Sequence, residues 1–241
     1  MPRYGSSSVF YLVGGRSLLG VQPKTLTSKI AASHEDVTGL GDTIVKTSPT
    51  GVQAVGLEHG GAFFDTTSLH AVLSDVADSV QETADVVCVG FGGDTVSQPF
   101  IGFEGVYKGE YDVLCQIGNL TKANTKFLFN GAIDRGLILH PLAARTVDTN
   151  GTAVDNTAGT TAGGAGYVQV TAYSGLTNAV IKIQHSTDNS VWADLITFAT
   201  VTAAPTAERK AVSGTVNRYV RALVDVTGTG STTVFVGFNR S

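Results

Sequence analysis

Apolar and polar residues alternate with a period of two from Tyr167 to Tyr173, Ala179 to His185, Val191 to Ala199, Arg218 to Val226 and Thr232 to Phe238. That spacing belongs to a strand with one buried face, because successive side chains of an extended chain point to opposite sides. An additional edge is expected at Glu208 to Val212. Turn-forming groups such as Thr187 to Ser190 and Thr227 to Gly230 separate the runs. Closely spaced short strands of this kind point to a small β-sandwich over 167–241.

The first part of the chain carries the same signal less regularly. Strands are expected at Leu19 to Ala32, Val52 to Phe64, Val86 to Phe91, Phe100 to Tyr107, Tyr111 to Ile117, Thr125 to Phe129 and Gly136 to His140. Gly60 and Gly61 mark a bulge or bend in the second of these, which is expected to pair with the first. After Asp65 and Thr66, both good N-caps, Leu69, Val72, Leu73, Val76 and Val80 recur on one helical face, which predicts a helix over about 67–80. Its apolar stripe needs a sheet to cover it. Residues 1–18 read as a Gly/Ser-rich arm, and 33–51 as a long loop with little of its own to bury. Residues 148–166 contain no aromatic and no long aliphatic side chain and read as a linker between a domain at 19–147 and the C-terminal sandwich.

Composition narrows the function classes. Charged residues make up 15% of the 241, and glycine is frequent at 29, which excludes a polycation that coats nucleic acid and favours a turn-rich β protein. No apolar run approaches the roughly 20 residues of a membrane helix, so no membrane insertion is expected. Arg16 interrupts the apolar Val9 to Val13 segment, and a signal peptide is not expected. Cys88 and Cys115 are spaced unlike a zinc motif and read as buried reduced thiols. Acidity is concentrated early: residues 1–148 hold ten Lys/Arg against fifteen Asp/Glu, whereas 149–241 hold six against five.

Catalytic constellations are missing from the sequence. There is no G-x-S-x-G elbow, Walker A loop, H-E-x-x-H or complete dinucleotide fingerprint. His59-Gly60-Gly61 has a distant likeness to an oxyanion-hole turn, but with no serine elbow to serve it reads as a β-bulge. His34, His59, His70, His140 and His185 match no metal spacing. Asp148, Asn150, Asp155 and Asn156 offer hard oxygen donors yet lack the closing bidentate glutamate of a calcium loop. No cofactor, metal or enzymatic activity is expected. Trp192 with Tyr167 and Tyr173 would form a sugar-stacking platform in a sandwich; a lone strand tryptophan is more often core.

Two stretches, DVTGLGD at 36–42 and TGVQAVGLEHGGAFFD at 50–65 leading into the helix, resemble the pattern of tail tube proteins of long-tailed bacteriophages. LTKANTKFLFNGAIDRGLILHPLA at 120–143 resembles the returning strands of that family. VIKIQHSTDNSVWADLITF at 180–198 and VNRYVRALVDVTGTGSTTVFVGFNR at 216–240 resemble a C-terminal β segment of many members. The resemblance covers nearly the whole chain, through glycine and apolar patterns and not through catalytic signatures.

It implies a mainly β fold of two packed antiparallel sheets with one flanking helix, followed by the small sandwich. It also implies stacked, six-membered rings forming a hollow virion conduit for genome delivery, assembled in the host cytoplasm. Implied partners are further copies of the chain, touching through the arm at 1–18 and the loop at 33–51, together with tape measure and tail terminator or tip proteins. Double-stranded DNA would pass without specific binding. An acidic bore would let it slide, and Glu58, Glu104, Glu110 and Asp112, on or beside expected strands, are the candidate bore residues. Competing readings are a carbohydrate-binding or adhesion module, resting on Trp192, and a capsid decoration protein.

Overall fold

The structure is a computed structural model that describes residues 9–18, 24–38, 43–44, 47–64, 70, 73 and 84–241. The elements among them are strands: β1 (Phe10–Val13), β2 (Arg16–Ser17), β3 (Thr25–Asp36), β4 (Thr47–Phe63), β5 (Asp85–Gly90), β6 (Pro99–Leu114), β7 (Lys122–Phe129), β8 (Ile133–Arg145), β9 (Thr149–Asn150), β10 (Val154–Asp155), β11 (Gly164–Ser186), β12 (Ala193–Thr197), β13 (Thr206–Val212) and β14 (Tyr219–Arg240). The fold is mainly β and antiparallel, as the alternation requires. The expected helix over about 67–80 lies outside the described residues apart from His70 and Leu73, the latter fully buried.

Contacts group the chain into two compact units that differ from the expected domains. One contains 1–20, 83–106 and 130–241; the other contains 21–82 and 107–129. The boundary expected at 148–166 is not where the chain divides. Within that segment β9 and β10 pair with β14, and Val154 is buried. Small polar residues that cannot build a core alone are ordered here by hydrogen bonds to a long neighbouring strand.

In the larger unit the strand order is β12-β11-β14-β8-β6-β5-β1-β2, with β13 on β11 and β9 and β10 on β14. β11 and β14 dominate it. They pair from Gly164 opposite Arg240 to Ser186 opposite Tyr219, with register shifts near Ala172, Leu176 and Asn178. Each replaces two separate expected strands. Thr227 to Gly230, expected as a turn, lies inside β14, where the ladder is irregular; Gly175 (φ +73°) and Gly228 (φ +103°) take the left-handed backbone that a bent strand needs there. The bend folds the sheet onto itself. Val168 and Val170 from the first half of β11 share a core with Ile181 and Ile183 from its second half, closed by Ile196, Phe198, Val220 and Val236. A Cβ on Gly166 would come within 2.6 Å of Ile183 Cδ1. Face-to-face packing of this kind is that of a sandwich.

The segment expected as an arm at 1–18 is partly interior. All four residues of β1 are buried, and β1 pairs with β5 through Leu12 opposite Cys88. Phe10, Phe100, Tyr167 and Phe235 form a second cluster around it. Residues 1–8 lie outside the described residues.

In the smaller unit β3 pairs with β4, β4 with β7, and β7 with β6, whose residues 107–114 belong here. The first expected strand begins later and ends later than the sequence pattern suggested, at Asp36, and β4 starts at Thr47, so 33–36 and 47–51, expected as parts of a long loop, are strand. The expected bulge at Gly60 and Gly61 is present: the β4–β7 register shifts between His59 and Ala62, and Gly61 has φ +68°.

Candidate functional site

The exposed face of the smaller unit follows from alternation on β4 and β7. Leu57 and His59 are buried and Glu58 between them is exposed; Ala123, Thr125 and Phe127 are buried while Asn124 and Lys126 are exposed. Pairing places Glu58 opposite Thr27 of β3 and Lys126 of β7. On β6 Glu110 and Asp112 are exposed, and Tyr111 turns to the other side, its hydroxyl 3.2 Å from His70 Nδ1. Glu58, Glu110, Asp112, Asn124, Lys126 and Thr27 thereby line one groove of about 320 Å³. Its three carboxylates face a single ammonium.

The groove is shaped by the bulge at its end. Asn124 Oδ1 accepts the backbone N–H of Gly61 at 2.8 Å. His59 lies at the floor, 2% exposed, its ring 6.4 Å from that of Phe127. Burial pushes its pKa down to about 4, so it stays neutral near pH 7.

Glu104 is placed elsewhere. It belongs to the larger unit, where Arg209 donates from Nη1 to its Oε2 at 2.9 Å. Arg209 also donates from Nε to Asp134 Oδ2 at 2.7 Å, and Asp134 accepts the Tyr167 hydroxyl and, at 2.9 Å, Asn239 Nδ2. Three of the four acids singled out in the sequence thus converge, and the fourth is held in an ionic network. Asn124 and Lys126 were missed, although the alternation in KANTKFLF puts them on one face.

A second concavity lies in the larger unit. About 710 Å³ in volume, it is walled by Phe91, Phe100, Leu137 and Phe238, with Arg135 and Arg240 also lining it and no Asp or Glu among the lining residues. No single sequence motif marks it, because its wall draws on five strands and the loops between them.

The sugar platform does not form. Tyr167 is fully buried, and Trp192 lies beneath the guanidinium of Arg221, 4.1 Å from the ring centroid. Nor are both thiols buried: Cys88 is, its pKa raised to about 12 by desolvation, whereas Cys115 is exposed in the turn after β6. Among the described residues no three His, Cys, Asp or Glu side chains gather as a metal site, and no helix is long and apolar enough to cross a membrane.

The chain is similar to the solved structure of SPP1 Dit (gp 19.1), a paradigm of the hub adsorption apparatus in phages infecting Gram-positive bacteria. Identity is 14% over 96% of this chain and 99% of that one, with a TM-score of 0.34. It is also similar to the structure of infectious bursal disease virus, Gx strain, at 9% identity over 99% of this chain and 74% of that one, with a TM-score of 0.20. No family model matches the chain, and neither does any curated protein.

Proposed function

We propose that this protein is a structural subunit of a bacteriophage tail, a tail tube protein whose copies join edge to edge into rings that stack as a conduit for DNA. The observation that carries the reading is the sheet of the smaller unit. Among the described residues, its outer strands β3 and the second half of β6 each pair on one side only, and its exposed face gathers Glu58, Glu110 and Asp112. Open strand edges invite pairing with another copy, and a closed ring removes them.

Four strands from each of about six copies, spaced about 4.8 Å and tilted about 40°, give a barrel of roughly 50 Å backbone diameter. Glu58 and Glu110 turned inward repel phosphate, so the passing duplex releases no counterions to the wall and is not retained. Between rings, the loop joining β3 to β4 supplies contact, with Val37 52% and Ile44 72% exposed. Tape measure and terminator proteins are the further partners of this reading, and the virion tail is its location.

Electron microscopy of the concentrated protein tests the proposal. Hollow tubes of uniform width are expected; a population of monomers or closed shells at every concentration would overturn it.

A further inference from the structure

The turn between β6 and β7 projects apolar side chains where a soluble surface would carry polar ones. Ile117 is 107% exposed, Leu120 69%, Leu114 49% and Val113 47%. The turn is well formed, with the N–H of Asn119 donating to the Gln116 carbonyl at 3.0 Å and Gly118 at φ +82°. Contiguous exposed aliphatics of this kind mark a contact surface, since each contributes about 25 cal/mol per Å² once covered. Asp112 stands at the base of the projection, and the ten residues from Asp112 to Thr121 include no Lys or Arg.

The groove of the larger unit has the complementary character. Its walls are apolar, its charged lining groups are Arg135 and Arg240, and its volume of about 710 Å³ lies in the range that seats apolar groups. The rim of the groove is open at Phe91, 39% exposed, and at Arg135, while Phe100 and Phe238 form its buried floor. We infer that the β6–β7 turn of one copy seats in the Phe100–Phe238 groove of a second copy, with Asp112, at the end of the acidic face, meeting the guanidinium groups of Arg135 and Arg240 and Glu58 and Glu110 left to face the bore. This deepens the tube reading, on which it rests for its polymeric setting, by naming one contact between subunits.

Turn and groove are different surfaces, which makes the contact heterologous. A heterologous contact does not saturate as a dimer; it propagates until a ring closes or a filament grows. The opposite signs of Asp112 and the two arginines fix which end of the turn enters first.

Native Cys115, beside Leu114 at the turn, provides the test, because Cys88 is buried. Asn156 lines the groove, and the full-length Asn156→Cys variant, treated with a short bis-maleimide, is expected to give a ladder of covalent dimers, trimers and longer species through Cys115. The ladder should vanish with Cys115→Ser added and fall at least fivefold with Ile117→Asp and Leu120→Asp, or with Arg135→Glu and Arg240→Glu. Mixing then guards against misfolding. A turn-defective copy carrying Asn156→Cys and Cys115→Ser, mixed with a groove-defective copy retaining Cys115, should give one covalent dimer and nothing larger. Absence of the intermolecular Cys115 product, its confinement within one chain, or a ladder indifferent to these substitutions overturns the inference. Tubes without the cross-link leave the tube reading standing and remove this contact; the ladder without tubes does the reverse.

Discussion

The backbone N–H of Gly15 donates to the side-chain oxygen of Gln169 at 2.6 Å, joining two residues 154 positions apart. The amide nitrogen of the same glutamine donates to the Val86 carbonyl at 2.8 Å. One fully buried side chain near the start of β11 therefore ties down the turn between β1 and β2 and the start of β5. Gln169→Leu removes both bonds and leaves the buried Gly15 N–H without its partner, while the Val86 carbonyl keeps the Gly14 N–H at 3.0 Å. A loss of about 1–3 kcal/mol is expected in urea unfolding, with an unchanged slope. A loss below 1 kcal/mol would show that solvent reaches these groups.

The Arg209–Asp134 pair is the buried electrostatic link of the larger unit, with side chains 13% and 11% exposed. Asp134→Ala leaves the guanidinium without its main counter-charge and should cost about 3–5 kcal/mol. Glu104→Ala removes a partner that is 43% exposed and should cost under about 1 kcal/mol. A double-mutant cycle over Arg209 and Asp134 checks the assignment, through a coupling far larger than that between Arg209 and Glu104.

Acid should loosen the fold through two histidines. Burial holds His59 down at about 4, and burial with the nearby Arg145 charge lowers His140. The geometry at His140 agrees with a neutral ring: Nδ1–H donates to the Val234 carbonyl at 3.1 Å and Nε2 accepts Arg145 Nε–H at 2.6 Å. Both folded pKa values lie below the ordinary 6.5, so the unfolded chain binds more protons in between. Stability is complete above about pH 6.5 and declines as pH falls toward 4, by an upper estimate of about 3 kcal/mol for His59. Thermal unfolding between pH 7.5 and 4.5 measures it, and His59→Leu should flatten the dependence.

Reversing the acidic groove should convert a sliding surface into a gripping one. Glu58→Lys with Glu110→Lys is expected to raise affinity for double-stranded DNA at least tenfold in low salt, with a steeper salt dependence, and to slow genome release from otherwise intact virions. Unchanged binding and release kinetics would remove this face from the bore.

Much of the strand content is legible in the sequence, and so is its sidedness. The alternation around Glu58 and through Lys122–Phe129 assigns faces that the structure keeps, and Gly60-Gly61 reads as the bulge it forms. Glycine deeper in a strand misleads: Gly175 and Gly228 look like turn residues, yet they sit in bends of β11 and β14 that continue on either side. Low-complexity polar residues mislead in the same way, since Thr149–Asn150 and Val154–Asp155 become strands only because β14 offers them hydrogen bonds.

The sequence by itself determined which residues of each extended segment face inward, because a two-residue period follows from the geometry of the extended backbone. Tertiary structure alone decided which segments became neighbours. It set Glu58, Glu110 and Asp112 in one groove while tying Glu104 to Arg209, a residue 105 positions away. The reason is that alternation carries a strand's face but not its partner, and partners are chosen by burial and hydrogen bonding between segments far apart in the chain.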